Sequence, residues 1–217
     1  AVPSAFGGGA FARVYVSTDF GATWGPGGSL SGAGSSDRIL LSVGAGDVVY
    51  AAVISTADTL SGVFESPSGA AAWVTEGVPA PAIFPGEQGI VHGAIVADPT
   101  SPGVVYISGD RQAAPFPNAN GCTSFSGNLF RGSGTVGVPN GISWSSVDCN
   151  GANGTSPHPD SRAMVFDADG NLLQGNDGGI YRLVDPSTPA TRTWVSVNGN
   201  IRPTEMHSTA YDPRSNV

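Results

Sequence analysis

Tryptophan occurs four times in these 217 residues, at positions 24, 73, 144 and 194, and the intervals of 49, 71 and 50 residues set a period for the whole chain. A short strand-like phrase precedes each one: Val14-Tyr15-Val16, Val63-Phe64-Glu65, Leu129-Phe130-Arg131 and Ile180-Tyr181-Arg182. The link to Trp24 is Ser17-Thr18-Asp19-Phe20-Gly21-Ala22-Thr23, which reads as a hairpin turn with a use for each position. Asp19 is a short acid able to accept hydrogen bonds from N–H groups of its own turn. Gly21 admits a positive φ that a Cβ resists. Trp24 is expected to open the next strand and bury its ring. The copy before Trp73 keeps Ser66 but has Ser68 in place of Asp and Ala70 in place of Gly, while Trp144 and Trp194 follow longer turns.

A second phrase repeats out of phase with the first. Ala94-Ile95-Val96-Ala97-Asp98 leads to Val104-Val105-Tyr106-Ile107-Ser108, and Ala163-Met164-Val165-Phe166-Asp167 leads to Leu172-Leu173-Gln174. Arg38 to Val43 with Val48-Val49-Tyr50 is a weaker copy, and Ser208 to Pro213 begins another. Short apolar runs divided by Gly, Pro, Asp and Asn, with no helical periodicity, are the mark of all-β repeats. A period near fifty residues fits one four-stranded propeller blade. The expectation is therefore an all-β chain, a β-propeller of four-stranded antiparallel blades, with about four blades present in a partial or open ring. The blade pieces fall at roughly 1–34, 35–80, 90–150 and 160–200, with 205–217 starting the next. The longer middle interval is assigned to an insertion between Gln112 and Gly127 and to the longer turn before Trp144. Repeats cut at both ends predict a piece of a longer propeller with further blades; a closed four-bladed ring is the alternative.

The formal charge of −8, with nine Arg and no Lys, argues against nucleic-acid partners, and no run is apolar enough for membrane insertion. No cofactor and no metal site are expected; two cysteines without a nearby His pair make a poor zinc site. Cys122 and Cys149 lie in polar Asn/Gly-rich stretches and read as exposed thiols that form a disulfide, or as two unrelated free cysteines. A bridge implies an oxidising, extracellular or cell-surface location.

Strand order puts the turns before each tryptophan on one face and the b–c and d–a loops on the other. Asp110-Arg111 and Asn176-Asp177-Gly178-Gly179 occupy equivalent b–c positions. His158-Pro159-Asp160 with Arg162, and Glu87 with His92, lie in d–a loops. Paired carboxylates on one rim are what glycoside hydrolysis uses, which makes Asp177, Asp110 and Asp160 the candidate catalytic acids. His158, Arg111, Arg162 and His92 are the candidate ligand-binding residues. Asp-Gly is also a strong turn signal by itself, and Arg side chains commonly pair with nearby acids. Asp167 to Asn171 looks like half a calcium loop but reads better as a hairpin turn. Asn153-Gly154-Thr155 is a glycosylation sequon in a eukaryotic setting. Glu205 and His207 are taken as packing or rim residues.

The octapeptide Ser17–Trp24 resembles the Asp-box (BNR) repeat of sialidases, sortilin-type receptors and xyloglucan-cleaving propeller glucanases. That resemblance makes Ser17, Asp19, Gly21, Trp24, Trp73, Trp144 and Trp194 structural markers, away from the chemistry. Asn176 to Arg182 is similar to the segment D-x-G-G-x-Y-R that carries a catalytic Asp in the xyloglucanases, one residue short, and by that likeness points to Asp177. The leading expectation is an extracellular propeller that binds glycan or protein ligands on the b–c/d–a face. The alternative is a glycoside hydrolase using paired Asp residues. Fold likeness alone does not choose between them.

Overall fold

Runs of Val, Ile, Leu and Tyr bounded by turn formers become strands throughout the computed structural model, which describes residues 13–30 and 36–203. β1 (Tyr15–Val16) and β2 (Gly25–Pro26) form a two-stranded sheet. β3 (Ser36–Val43), β4 (Val49–Ser55), β5 (Leu60–Ser66) and β6 (Val74–Glu76) form the second sheet. The third comprises β7 (Ala94–Ala97), β8 (Val104–Ser108), β9 (Leu129–Ser133) and β10 (Ser143–Ser146). The fourth comprises β11 (Ser161–Phe166), β12 (Leu172–Asn176), β13 (Gly179–Val184) and β14 (Thr193–Ser196). Every pairing joins sequence neighbours antiparallel, so each sheet is a simple meander, and the chain is a partial β-propeller. The strand a phrase at 208–213, Glu205 and His207 lie outside the described residues.

Because strand side chains alternate between faces, each inner sheet feeds two cores. In β4, Val49, Ala51 and Val53 pack toward the first sheet with Val14, Ile39 and Phe64. Tyr50, Ala52 and Ile54 pack the other way, against Ile95, Val105 and Ile107 of the third sheet. A third cluster joins Val104 and Tyr106 to Leu172, Leu183 and Trp194 of the fourth. The chain thus has no single centre; stability is distributed over sheet-to-sheet contacts.

The tryptophans serve these contacts. Trp144 Nε1 donates to the carbonyl of Gly77 at 2.6 Å, and Trp194 Nε1 donates to that of Val147 at 2.8 Å. Each acceptor is the residue following the last strand of the preceding sheet. Trp73 faces the first sheet, where a Cβ on Gly28 would lie 2.9 Å from its ring, and its buried Nε1 finds no acceptor among the described residues. Trp24 departs from expectation: it precedes β2 and is 64% exposed, because among the described residues no sheet stands before the first to receive its indole.

The turns before the tryptophans are held in two ways. In the first, Asp19 Oδ1 accepts from Thr23 N at 2.8 Å, Oδ2 accepts from Thr23 Oγ1 at 2.6 Å, and Gly21 has φ +89°. These bonds lower the Asp19 carboxyl to a pKa of about 2. The later turns have no acid at the position of Asp19, and side chains from outside the turn hold those before Trp144 and Trp194. Glu65 Oε1 accepts from Gly137 N at 2.6 Å, and Glu76 Oε2 accepts from Ile142 N at 3.0 Å. Burial pushes the Glu76 carboxyl up. In the fourth sheet, Asn153 Nδ2 donates to the carbonyls of Ala190 and Arg192 at 3.1 and 2.9 Å. A sugar on this nitrogen would replace one of its two hydrogens and so compete with these bonds. In the second turn Ala70 sits at the glycine position with φ +62°, its methyl buried in the core.

Cys122 and Cys149 are bonded to one another, with Cα atoms 5.2 Å apart. The expected exposure of the two sulfur sites is wrong: both residues are buried, because the polar loops around them fold over Asp148 and Ala152. The bridge closes a separation of 27 residues. Its removal in a Cys122→Ser, Cys149→Ser double variant is expected to cost about 3 kcal/mol, read by urea denaturation.

Candidate functional site

The b–c and d–a loops of the third and fourth sheets meet on one rim, and a chain of backbone bonds positions them. Gly93 N donates to Ser161 O at 2.7 Å, and Asp160 N donates to Asp110 O at 2.7 Å. Ser108 Oγ donates to Ser161 Oγ at 2.6 Å, tying the start of β11 to the end of β8. Gly93 has φ +96°, and a Cβ there would lie 2.7 Å from the Phe84 ring. The close approach thus needs glycine on two counts.

On this frame His92, Asp160 and Asp177 offer ligand atoms that all lie within 4.8 Å of one another. His92 Nδ1 is 3.0 Å from Asp160 Oδ1 and 3.1 Å from Gln88 Oε1. Both neighbours are acceptors, which places a proton on Nδ1; the hydrogen bond is to Gln88 Oε1, and the buried Asp160 Oδ1 has no hydrogen-bond partner among the described residues. Arg162 Nε lies 3.0 Å from Asp177 Oδ1, and its Nη2 lies 3.4 Å from Oδ2, a two-pronged pair. Side-chain exposure is 7% for His92, 24% for Asp160, 19% for Asp177 and 45% for Arg162. The cluster is therefore rooted in the protein and open on one side. Burial pushes the Asp160 carboxyl up, opposed by His92 and reinforced by Asp177. These three residues are the set that a cation would meet, but Arg162 already neutralises one of its carboxylates.

The other sequence candidates take different places. Asp110 is fully buried, its Oδ1 accepting from Arg111 N at 2.5 Å and its Oδ2 from Gly86 N at 2.9 Å. Desolvation raises its pKa, yet the carboxylate is aimed into backbone donors and braces the rim. The Asp110 side chain thus stands apart from the partly exposed cluster of His92, Asp160 and Asp177. Asp177 differs: the turn it occupies is held by Asn176 Oδ1, which accepts from Gly178 N at 3.0 Å, leaving the Asp177 carboxylate to Arg162. His158 is exposed and packs over that turn, where a Cβ on Gly178 would fall 2.5 Å from its ring. Glu87 is exposed in a turn at φ +53°. Asp167 Oδ1 accepts from Asp169 N and Asn171 N at 3.0 and 2.9 Å, the hairpin turn expected of it.

Two contributors were missed. Arg38 Nη1 donates to Gly89 O and His92 O at 3.1 and 2.7 Å, so a side chain from the second sheet shapes the loop bearing His92. Gln88 orients the His92 ring. The signal for Arg38 was partial: Ser36 and Ser161 open equivalent first strands, each followed by a register shift, but aligned on those two residues Arg162 matches position 37 and not Arg38. Gln88 had none, since its partner lies one helical-like turn along in an irregular loop.

No protein-family model matches the chain, and no curated protein matches it. Among solved structures, the chain is similar to the intramolecular trans-sialidase from Ruminococcus gnavus, crystallised with oseltamivir carboxylate, at TM-score 0.42 and 11% identity over 86% of this chain. It is similar also to the leech intramolecular trans-sialidase complexed with 2,7-anhydro-Neu5Ac, at TM-score 0.42 and 12% identity over 84% of this chain. The matches span 38% and 27% of those two chains.

Proposed function

We propose that this chain is part of an extracellular propeller that binds a glycan on the b–c/d–a rim, with Asp160, Asp177 and Arg162 as the contact groups. The observation that carries this reading is the convergence of His92, Asp160, Arg162 and Asp177, from loops of two adjacent sheets, into one partly exposed cluster. Carboxylates and a guanidinium fixed side by side suit neighbouring sugar hydroxyls, which donate and accept along one ring edge. The Cys122–Cys149 bridge supports an oxidising location.

Isothermal titration of the chain with xyloglucan oligosaccharides and with 3′-sialyllactose tests the reading. Binding of at least one, weakened about tenfold or more in Arg162→Ala and Asp177→Asn, is the expected result. Absence of binding to both, or variants that bind like wild type, would overturn it. One observation favours a second reading, glycoside hydrolysis: Asp160 has a raised pKa beside a second acid, the pattern of an acid–base pair. Release of fluorophore from umbelliferyl glycosides, lost in Asp160→Asn, would select hydrolysis over binding alone.

A further inference from the structure

The insertion between β8 and β9 is braced far more heavily than a connecting loop requires. Gln112 is buried and donates through Nε2 to Gly127 O at 2.8 Å and to Asp148 Oδ2 at 2.9 Å. Its Oε1 accepts from Asn118 Nδ2 at 2.8 Å and from Asn120 Nδ2 at 3.3 Å. Asn118 Oδ1 in turn accepts from the backbone N–H groups of Asn120 and Cys122, at 3.1 and 3.0 Å. Gln112 N donates to Ser126 O at 2.9 Å, closing the two limbs on each other, and the disulfide ties Cys122 to the far side of the sheet.

What this bracing holds in place is aromatic. Phe116 and Phe125 meet edge to face with centroids 4.9 Å apart, and Phe125 is 53% exposed. The Arg111 guanidinium carbon lies 4.8 Å from the Phe125 ring centre, and Arg111 makes no ion pair within 4 Å among the described residues. An exposed phenyl ring is normally free to turn away from water; here the backbone that carries it is fixed before any ligand arrives, which removes much of the ordering cost of binding.

The platform is continuous with the acidic rim. Arg111 follows Asp110, whose carbonyl accepts from Asp160 N at 2.7 Å. A Cβ on Gly86 would sit 2.7 Å from Asp110 Oδ2 and 3.3 Å from Arg111 Nε, so one glycine lets both reach the same edge. Arg111 Nη1 makes one long hydrogen bond, 3.5 Å to Gln112 O, and an apolar ring face bordered by such a guanidinium matches a ligand that is itself two-sided. A pyranose has that form, with a face of C–H groups and a rim of hydroxyls, whereas a purely apolar partner would offer the guanidinium no acceptor.

We infer that Phe116, Phe125 and Arg111 form a second subsite, on which a pyranose ring stacks next to the sugar held by Asp160, Asp177 and Arg162. This rests on the glycan-binding reading and adds a requirement for ligand length: an oligosaccharide spans both subsites, and a monosaccharide fills one. Glucose, cellobiose and cellotetraose are the probes, titrated calorimetrically into the full chain and into Phe125→Ala, Phe125→Tyr and Arg111→Gln. Phe125 is exposed, so its replacement leaves the fold intact, as an unchanged near-ultraviolet dichroism of the tryptophans will confirm.

The expected result is affinity that rises from glucose to cellotetraose in the wild type. Phe125→Ala and Arg111→Gln each lose about fivefold or more of that rise, Phe125→Tyr restores it, and glucose affinity is the same in all four proteins. A length dependence that survives in Phe125→Ala, or a wild type that binds glucose and cellotetraose equally, overturns the platform while leaving the rim site standing. A wild type that binds none of the three sugars overturns the platform, whereas the rim reading falls only if the xyloglucan and sialyl probes also fail.

Discussion

Trp194→Ala is expected to destabilise the chain by about 3–5 kcal/mol, while Trp24→Ala changes stability by less than about 1 kcal/mol. The two residues hold the same place in the repeat, so the difference isolates what a neighbouring sheet contributes. Trp194 is 5% exposed, packs with Leu172 and Leu183 in the core shared with the third sheet, and donates to Val147 O at 2.8 Å. Truncation removes the ring, leaves a cavity and strands a buried carbonyl. Trp24 is 64% exposed, so truncation takes away little buried area. Urea denaturation of both variants, followed by far-ultraviolet dichroism, measures the pair. Equal losses would mean that the indoles stabilise their own turns, and the sheet-to-sheet account would be wrong.

Asp148→Ala is expected to cost about 4 kcal/mol, and Asp148→Asn much less. Asp148 is the buried hub of the third sheet: Oδ2 accepts from Leu129 N at 2.8 Å and from Gln112 Nε2 at 2.9 Å, and Oδ1 accepts from Ser146 Oγ at 2.6 Å. Alanine leaves Leu129 N and one of the two Gln112 Nε2 hydrogens buried without an acceptor, the other keeping Gly127 O. Asparagine retains an oxygen for them and can present its N–H₂ to Ser146, whose hydroxyl turns to accept. Desolvation outweighs these bonds and pushes the carboxyl up to about 6 from its usual 3.8. A raised folded pKa means that the folded state binds the proton more tightly. The contribution of this group is therefore fully favourable below about pH 4 and is lost as pH rises through 6, a swing of about 3 kcal/mol. In wild type minus Asp148→Asn, the difference in unfolding free energy should fall across that window; a flat difference from pH 4 to pH 7 would refute the buried charge.

The fold was legible because its causes are local and repeated. Alternating apolar residues make strands, Gly and Asp make turns, and the four tryptophans count the sheets without reference to anything distant. The strand a, b, c and d phrases around Ala94, Val104, Leu129 and Trp144 became β7 to β10 in that order. The candidate site was legible in part: His92, Asp160, Arg162 and Asp177 were placed on one rim by strand order alone. Asp110 belonged to the same loops, and only its surroundings separate it from Asp177. Both follow the second strand of their sheet, but backbone N–H groups of Gly86 and Arg111 surround one carboxylate and a guanidinium faces the other.

The degraded turns show where local reasoning stops. The loss of Asp before Trp144 and Trp194 reads in sequence as decay of a motif. In three dimensions Glu65 and Glu76 of the preceding sheet accept from the turn before Trp144, and Asn153, in the connection after the third sheet, donates to carbonyls of the turn before Trp194. These residues lie between 36 and 72 positions away in the chain, and no pattern joins them to the turns they hold.

The sequence by itself determined the strands, their order within each sheet, the turn at Asp19 and the face to which each loop belongs. These depend on side-chain alternation and turn chemistry within a dozen or so neighbouring residues. Only the tertiary structure decided which tryptophans are covered, which acid is buried and which meets an arginine, and that the insertion sets two phenyl rings beside the rim. Burial and charge pairing depend on residues brought together across sheets, and that proximity has no period along the chain to be read.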